Sequence, residues 1–214
     1  SGTNTLAFSY NVQDGDTSSD LNYKATSSLA LNGATIQNGL GNNAALTLPA
    51  LASSDALAGN NSLVIDTTAP TVQSVSSSTA DGTYTTGDVI TINVVFSEAV
   101  TVAGGTPTLT LETGSTDQNA SYSSGSGSTT LAFSYTVQDG DNASPLNYKA
   151  TSSLALNGAT IQDAASNNAA LTLPATDSNN SLAGNKALVI DTTAPTVQSV
   201  SSSTADGTYT TGDV

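Results

Sequence analysis

The sequence contains no cysteine, histidine, tryptophan or methionine, and its only basic residues are three lysines. Without cysteine, the chain can form neither disulfide bonds nor thiolate metal sites. Because histidine is missing too, the Ser-His-Asp and Cys-His arrangements of hydrolases cannot form, and the usual zinc ligand sets are excluded. Paired carboxylates could cleave glycosidic bonds, but aromatic residues that would hold a sugar make up only 5% of the chain. The sequence therefore predicts that the protein is not an enzyme.

Charge is strongly one-sided, with 17 acidic residues against three basic ones and a net charge of −14. Such a surface has no basic patch that could displace counterions from nucleic acid, so nucleic acid is not an expected partner. It should instead attract divalent cations. No apolar run approaches the roughly 20 residues of a membrane-spanning helix, which argues against membrane insertion.

Serine, threonine, asparagine, glycine and alanine dominate the sequence, and charged residues make up only 9% of it. The absence of disulfides would suit a cytosolic protein, and the composition would also suit a disordered segment. Regular alternation of apolar and polar residues argues against disorder. We expect an exported, extracellular protein whose stability comes from sources other than disulfides.

One long repeat organises the chain, since residues 1–89 align without gaps with residues 126–214. About 70 of these 89 positions are identical, and residues 63–89 recur unchanged at 188–214. The shift of 125 residues exceeds the roughly 20–50 residues of a solenoid or propeller repeat and matches a whole domain. The sequence thus predicts about 1.7 copies of one domain-sized unit, in a piece of a longer protein.

The boundary between units is predicted at the sequence Asp-Thr-Thr-Ala-Pro-Thr, which begins at Asp66 and again at Asp191. Proline fixes its own φ angle and favours an extended residue before it, which suits a linker. The chain then divides into residues 1–66, the C-terminal part of one unit, residues 67–191, a complete unit, and residues 192–214, the N-terminal part of the next. We expect residues 1–66 to contain the last three strands of their unit and to expose a core face unless other sequence completes them.

Within the complete unit, apolar residues alternate with period two, which is the pattern of strands with one buried face. Turn sequences rich in glycine, asparagine and aspartate separate these segments, and no stretch of a dozen residues has helical spacing. Strands are predicted from residue 72 and at 89–96, 107–111, 120–122, 131–137, 154–161, 170–173 and 187–190. Seven or eight short strands predict an all-β fold of tandem immunoglobulin-like β-sandwich domains, about 125 residues per repeat.

Six motifs in this order resemble the bacterial immunoglobulin-like tandem repeats of giant surface adhesins, of the RTX or biofilm-adhesin type. The motifs are Asp-Thr-Thr-Ala-Pro-Thr-Val from Asp66, Gly-Asp-Val-Ile-Thr-Ile from Gly87, Phe-Ser-Glu-Ala-Val from Phe96, and the segments 137–141, 154–158 and 161–165. The resemblance covers essentially the whole chain. It implies an extender region that projects a terminal binding domain from a bacterial cell surface, commonly stiffened by calcium at the domain junctions.

Acidic residues fall mostly in predicted loops, which an immunoglobulin-like topology gathers at opposite poles of the unit. One pole is predicted to hold the linker after Asp66, the loop at Glu98 and the loop at Asp163. Calcium prefers six to eight oxygen ligands from carboxylates, amides and carbonyls. Stacked units should bring Asp66 between Asp14 and Asp16 of the preceding unit and Glu98 of the following one. The full set of candidate calcium ligands is Asp14, Asp16, Asp66, Asp81, Glu98, Asp139, Asp141, Asp163 and Asp191.

Aspartate beside glycine is also an ordinary turn former, so these acids have an alternative explanation. The Asp14-Gly15-Asp16 segment lacks the glutamate that an EF-hand has at its twelfth position. The sites need not be alike in the two copies, because Asn38 stands where the second copy has Asp163.

Three functions remain open at this stage. The first is an extender segment whose partners are neighbouring repeats of the same chain and whose junctions bind Ca²⁺. The second is a subunit of a self-assembling extracellular filament or sheath, in which identical chains pair through open strand edges. The third is a glycan- or surface-binding module, which the scarcity of aromatic residues disfavours. Lys24 and Lys149 are expected to be solvated, and an intramolecular isopeptide crosslink to a neighbouring acid or amide is the alternative.

Overall fold

A computed structural model describes residues 2–213, which contain eleven strands and two four-residue helices. The helices are α1 (Leu57–Asn60) and α2 (Leu182–Asn185). The strands are β1 (Val72–Ser77), β2 (Gly82–Tyr84), β3 (Val89–Gly104), β4 (Thr108–Glu112), β5 (Gln118–Ser124), β6 (Ser128–Thr136), β7 (Asn142–Ala143), β8 (Asn147–Tyr148), β9 (Leu154–Ala155), β10 (Ala159–Gln162) and β11 (Leu188–Asp191). The prediction of an all-β fold is confirmed.

The 16-residue strand β3 organises the larger sheet, whose order is β1-β3-β6-β5-β4-β8. The first half of β3 pairs antiparallel with β1 and β6, and its second half pairs with β10. Strand β9 adds to the far edge by pairing with β4. Because the two halves of β3 pair with different strands, the sheet curls. A smaller sheet, β2-β11-β7, closes one side, with β11 parallel to β2.

The core lies on the inner faces of these strands, where every second side chain is apolar. Ile90 and Ile92 of β3 stand opposite Tyr135 and Phe133 of β6, and all four are buried. β-branched and aromatic residues are well suited to such cross-strand pairs. The Tyr122 ring of β5 meets Phe133 edge-on, with ring centroids 6.0 Å apart. The alternation predicted for the unit is therefore the pattern that builds its core.

Residues 2–66 contribute almost nothing to this core, and Ala56 is their single buried side chain. The three strands expected in this segment are not formed, and its only β contacts are the isolated bridges Ser18–Ile65 and Gln37–Asn43. The physical reason is that strands need partners, and the neighbours that these strands would have are supplied only to the second copy. Residues 193–213 are likewise exposed and contain no strand.

Several strand predictions change in detail. The predicted strand 154–161 is divided into β9 and β10 by a turn in which Asn157 and Gly158 have φ angles of 48° and 80°. Residues 170–173 form only a bridge between Ala170 and Thr71. Strand β2, which begins at Gly82, is not among the predicted strands. The two helices were not predicted, because a single helical turn is too short to show the spacing of a helix.

Candidate metal centre

The linker that begins at Asp66 is held against the strands of the complete unit by hydrogen bonds of its backbone. Ser97 N donates to Thr71 O and Ala170 N donates to Pro70 O, each at 2.8 Å. Thr71 N donates in turn to Ser97 Oγ at 3.0 Å. The pairing of β3 with β6 is interrupted at this point of β3, which leaves Ser97 available to the linker. The linker therefore has a fixed path between β3 and the loop that follows β10.

Three carboxylates converge where the linker meets these two elements. Asp66 comes from the linker, Glu98 from β3 and Asp163 from the loop after β10, and one oxygen of each lies within 4.8 Å of the others. Asp163 is buried, and Asp66 and Glu98 are half-buried. Of the nine residues predicted as calcium ligands, these are the three that the structure brings into one cluster, which we call the junction triad.

Asn167 connects the loop after β10 to the linker. Its backbone N donates to Asp163 Oδ1 at 2.9 Å, and its side-chain Nδ2 donates to Asp163 Oδ2 at 2.8 Å. The same Nδ2 lies 3.1 Å from the carbonyl oxygen of Asp66 and 3.4 Å from that of Thr68. Asn167 thus orients the Asp163 carboxylate and holds two backbone carbonyl oxygens close to the triad.

The three acids repel one another. Burial raises the pKa of Glu98, and the charges of Asp66 and Asp163 raise it further. A carboxylate with a raised pKa is held in a site that disfavours its charge. A bound cation would reverse this effect, since it favours the ionised form of every carboxylate around it.

The lysines of the complete unit are engaged elsewhere. Lys149 forms an ion pair with Asp117, and Lys186 Nζ lies 3.0 Å from Asp81. Within residues 2–213 no lysine forms an ion pair with the junction triad. The negative charge of the triad is therefore left without a compensating side chain in this part of the chain.

The preceding copy reaches the linker through Thr67. Gly15 N donates to Thr67 Oγ1 at 3.0 Å, and that hydroxyl donates to the carbonyl oxygen of Asp16 at 3.1 Å. The Asp16 carboxylate itself accepts from Tyr10 OH and from a backbone N–H of its own turn. Asp14 and Asp16 therefore lie in a turn attached to the linker, outside the triad. Thr67 was not among the residues predicted to take part in a site, although its copy Thr192 stands in an identical motif.

Asp81 and Asp139 are separate from the triad. Asp81 accepts from Lys186 Nζ at 3.0 Å and from Ala187 N at 3.1 Å. These bonds, that of Lys186 first, lower the pKa of Asp81. Asp139 is exposed in the turn between β6 and β7. In this structure Asp81 serves to attach the segment before β2 to the segment before β11.

Asp141 has a structural role in the turn after β6. Its carboxylate is buried and accepts from Tyr135 OH and Gln138 N, each at 2.7 Å, and from Gln118 Nε2 at 3.1 Å. Burial, followed by the bond to Asp141, raises the pKa of Tyr135. Asp191, at the end of β11, is exposed and accepts from a backbone N–H two residues ahead.

The donor set at the junction triad fits a hard divalent cation. Its side-chain donors are carboxylate oxygens, and the Asp66 and Thr68 carbonyls lie beside them. Oxygen ligands of these kinds are those that Ca²⁺ takes, whereas zinc prefers nitrogen and sulfur. The triad also joins three segments that are distant in sequence, so a cation held there would tie the linker to the following unit.

Comparison of the chain with protein-family models, with curated proteins and with solved structures gave no match. Within the described residues, no helix combines the length and the apolar character needed to cross a membrane.

Proposed function

We propose that this chain is an extender segment of a long bacterial cell-surface protein. In this proposal, immunoglobulin-like β-sandwich units of about 125 residues follow one another in tandem, and Ca²⁺ stiffens the junctions between them. The role is mechanical and extracellular, and no catalytic step is part of it. Neighbouring repeats of the same chain are the partners.

The observation that carries the proposal is the position of the junction triad. Asp66 ends one copy of the repeat, whereas Glu98 and Asp163 belong to the next. The linker between them contacts both copies, through Thr67 on one side and Asn167 on the other. The triad thus lies across the boundary between two copies, where a bound cation would restrain the linker.

Calcium would be held by the three carboxylates together with carbonyl oxygens of the linker. Without the cation, the repulsion among the three acids, which adds to burial in raising the pKa of Glu98, favours separation of the linker from the unit. With it, the same oxygens attract the cation and restrain the linker. External modules bind Ca²⁺ with dissociation constants of about 0.1–1 mM, which suits the calcium levels outside a cell.

Calcium titration of the whole chain tests this proposal directly. We expect a dissociation constant of about 0.1–1 mM. Calcium should also raise the melting temperature and give a larger hydrodynamic radius than chelation does. Asp163→Asn, which places in the second copy the residue that the first copy has at position 38, should weaken binding at least tenfold. Asp177→Asn, at an exposed site, is the matched control. Equal binding by both variants, or no change on chelation, would contradict the proposal.

A filament or sheath subunit is the second candidate. It is favoured by the exposed apolar side chains of residues 2–66, which identical chains could cover by pairing. Electron microscopy of the protein with calcium separates the two candidates. Isolated rods support the extender, and fibres of many chains support the filament.

A further inference from the structure

The two copies of the repeat differ in the loop that supplies one acid of the junction triad. Residues 38–42 of the first copy are Asn-Gly-Leu-Gly-Asn, where residues 163–167 of the second are Asp-Ala-Ala-Ser-Asn. Asn38 therefore stands at the position of Asp163, a member of the triad, and Gly39 at that of Ala164. The first copy thus carries an amide followed by glycine where the second carries a carboxylate of the triad.

The loop has the same hydrogen bonds in both copies. Asn38 N donates to Asn42 O at 3.0 Å, and Asp163 N donates to Asn167 O at 3.2 Å. Asn42 N donates to the side-chain Oδ1 of Asn38 at 3.0 Å. In the second copy, Asn167 N donates to Asp163 Oδ1 at 2.9 Å. The side chain of Asn38 is therefore oriented like that of Asp163, and a carboxylate at position 38 would take the same place in the loop.

An asparagine followed by glycine can lose its amide in a reaction that needs only the chain itself and water. The backbone nitrogen of the glycine attacks Cγ of the asparagine and gives up its proton, a C–N bond forms, and the side-chain nitrogen leaves as ammonia. Water then opens the cyclic succinimide, at one carbonyl to give aspartate and at the other to give isoaspartate. Glycine favours the attack because it has no Cβ to hinder the approach of its nitrogen.

The surroundings of Asn38 favour this reaction. The N–H groups of Leu40 and Asn42 both donate to Asn38 Oδ1, each at 3.0 Å. These donors stabilise the negative charge that the oxygen gains when Cγ is attacked. Within residues 2–213, neither the Gly39 N–H nor the side-chain nitrogen of Asn38 donates to an acceptor. The attacking nitrogen and the leaving nitrogen therefore have no hydrogen bond to break.

The same loop is open to water in the complete unit. Ala164, Ala165 and Ser166 of the second copy are exposed, although Asp163 beside them is buried. The Ala164 N–H occupies the position of the attacking nitrogen, and among the described residues it donates to no acceptor. Strands that cover the rest of the unit therefore leave the reactive nitrogen of this loop free.

We propose that Asn38 is a site of spontaneous deamidation, and that its conversion to aspartate supplies the first copy with the carboxylate that Asp163 gives the second. A junction served by residues 38–42 would acquire this ligand with time after synthesis. Isoaspartate adds an atom to the backbone, so only the aspartate product reproduces the triad. The link to calcium rests on the proposed function, whereas the deamidation itself does not.

Incubation of the whole chain at mildly alkaline pH, followed by peptide mass mapping, tests the deamidation. Asn157, in another Asn-Gly pair, is the internal reference, because its amide donates to Thr106 O and Thr108 Oγ1. We expect conversion at Asn38 to be at least about tenfold faster, since the amide of the reference must first break these bonds.

Gly39→Ala, which introduces the residue of the second copy, is the matched variant. A Cβ at this position meets no atom within 4 Å, so the loop should keep its form. Conversion at Asn38 should slow at least about tenfold, because the new Cβ hinders the approach of the nitrogen. No conversion at Asn38 in the unchanged chain, or conversion as fast in the variant, would overturn the proposal.

The second copy allows a test in a complete unit, beside Asp66 and Glu98. Asp163→Asn combined with Ala164→Gly gives its loop the reactive pair of the first copy, and Asp163→Asn alone is the control. When fresh, both variants should bind Ca²⁺ at least about tenfold more weakly than the unchanged chain. After ageing in the folded state, the double variant should regain affinity in proportion to the aspartate that mass mapping finds at position 163, whereas the control should stay weak.

Two results with the double variant would overturn the proposal. One is an amide that is lost in denaturant but kept in the folded chain, since deamidation would then not occur in a complete unit. The other is recovery of aspartate at position 163 without recovery of affinity. If the unchanged chain binds no Ca²⁺, the extender function and the calcium role of Asn38 fail together, while mass mapping still decides whether Asn38 deamidates.

Discussion

Residues 2–66 and residues 127–191 have nearly the same sequence and very different surroundings. Phe8 is 77% exposed and its copy Phe133 is fully buried. Leu63 is 43% exposed and its copy Leu188 is fully buried. Residues 67–125 supply the strands that cover the second copy, and within residues 2–213 no such strands lie beside the first. Burial in this fold is therefore a property of the pair of halves and not of either half alone.

Local structure, in contrast, is the same in both copies. The four-residue helices α1 and α2 correspond to each other. The turn at Asn157-Gly158 has its counterpart at Asn32-Gly33, with positive φ angles at all four residues. Turns and single helical turns are determined by neighbours in sequence, whereas strands depend on residues far along the chain.

The largest effect should come from truncating the same aromatic residue in each copy. Phe133→Ala removes a fully buried ring and should lower the free energy of unfolding by about 3–5 kcal/mol. Phe8→Ala should change it by less than about 0.5 kcal/mol, as expected for a surface position. Chemical denaturation measures both values. Similar losses for the two variants would mean that the first copy has a core of its own.

The next largest difference between the copies is expected in the dependence of stability on alkaline pH. Burial raises the pKa of Tyr148 to about 12, and its OH donates to the carbonyl oxygen of Pro174 at 2.5 Å. The folded state then keeps its proton where the unfolded state loses it. This contribution is fully present below pH 10 and is lost as pH rises to 12, an effect of about 2–3 kcal/mol. Denaturation between pH 9 and 12 should show a shallower loss of stability for Tyr148→Phe.

The matched change in the first copy is Tyr23→Phe. Tyr23 OH makes the equivalent bond, to the carbonyl oxygen of Pro49 at 2.6 Å, but lies outside the core whose unfolding is measured. We expect the alkaline profile of this variant to match that of the unchanged chain. A flattened profile would show that residues 2–66 unfold together with the complete unit.

A smaller difference is expected at the turn after β6. Asp141→Ala leaves Tyr135 OH and Gln138 N, both bonded to the buried carboxylate, without their acceptor, at a cost of about 2 kcal/mol. Asp16→Ala removes the same bonds in an exposed turn, where water replaces them, and should cost less than about 0.5 kcal/mol. Thermal or chemical unfolding at neutral pH compares the two. An equal cost would place the Asp16 turn inside a folded unit.

The β class and most of the strands could be predicted because the alternation of apolar residues is visible along the chain. The positions of β1 and β3 to β6 follow from residues such as Ile90, Ile92 and Phe133. The failure at residues 1–66 has the opposite cause. The alternation there is just as clear, but pairing partners are not encoded in the segment itself, so the pattern predicted strands that do not form.

The candidate site could be predicted only in part. Asp66, Glu98 and Asp163 were grouped from topology alone, since loops at one pole of a sandwich approach each other. Asp141 was included because it stands in an Asp-Gly-Asp turn, and only the structure places its carboxylate inward, against Tyr135. The direction of a side chain in a turn depends on backbone angles that the residue type does not determine.

The smallest expected effect concerns Glu98, which belongs to the half of the unit that residues 1–66 lack. With a chelator at pH 7, Glu98→Gln should raise the free energy of unfolding by about 0.5 kcal/mol, because it removes one partly exposed charge from a repelling group. Folding raises the pKa of Glu98, so ionisation of this group lowers the stability of the folded state as pH rises through that pKa. The gain should therefore vanish on acidification below the ordinary glutamate pKa of 4.5.

Calcium should reverse the sign of this substitution. In 1 mM calcium, dissociation constants of about 0.1–1 mM stabilise the unchanged chain by about 0.4–1.4 kcal/mol. Glu98→Gln removes a ligand and should lose most of this stabilisation. Glu112→Gln, on the exposed end of β4, is the control and should show neither effect. Chelated and calcium-loaded denaturation curves of the three proteins are enough to decide. A Glu98 variant that is more stable than the unchanged chain in both conditions would mean that the junction triad repels without binding, and that the linker is held by its hydrogen bonds to Ser97, Ala170 and Asn167 alone.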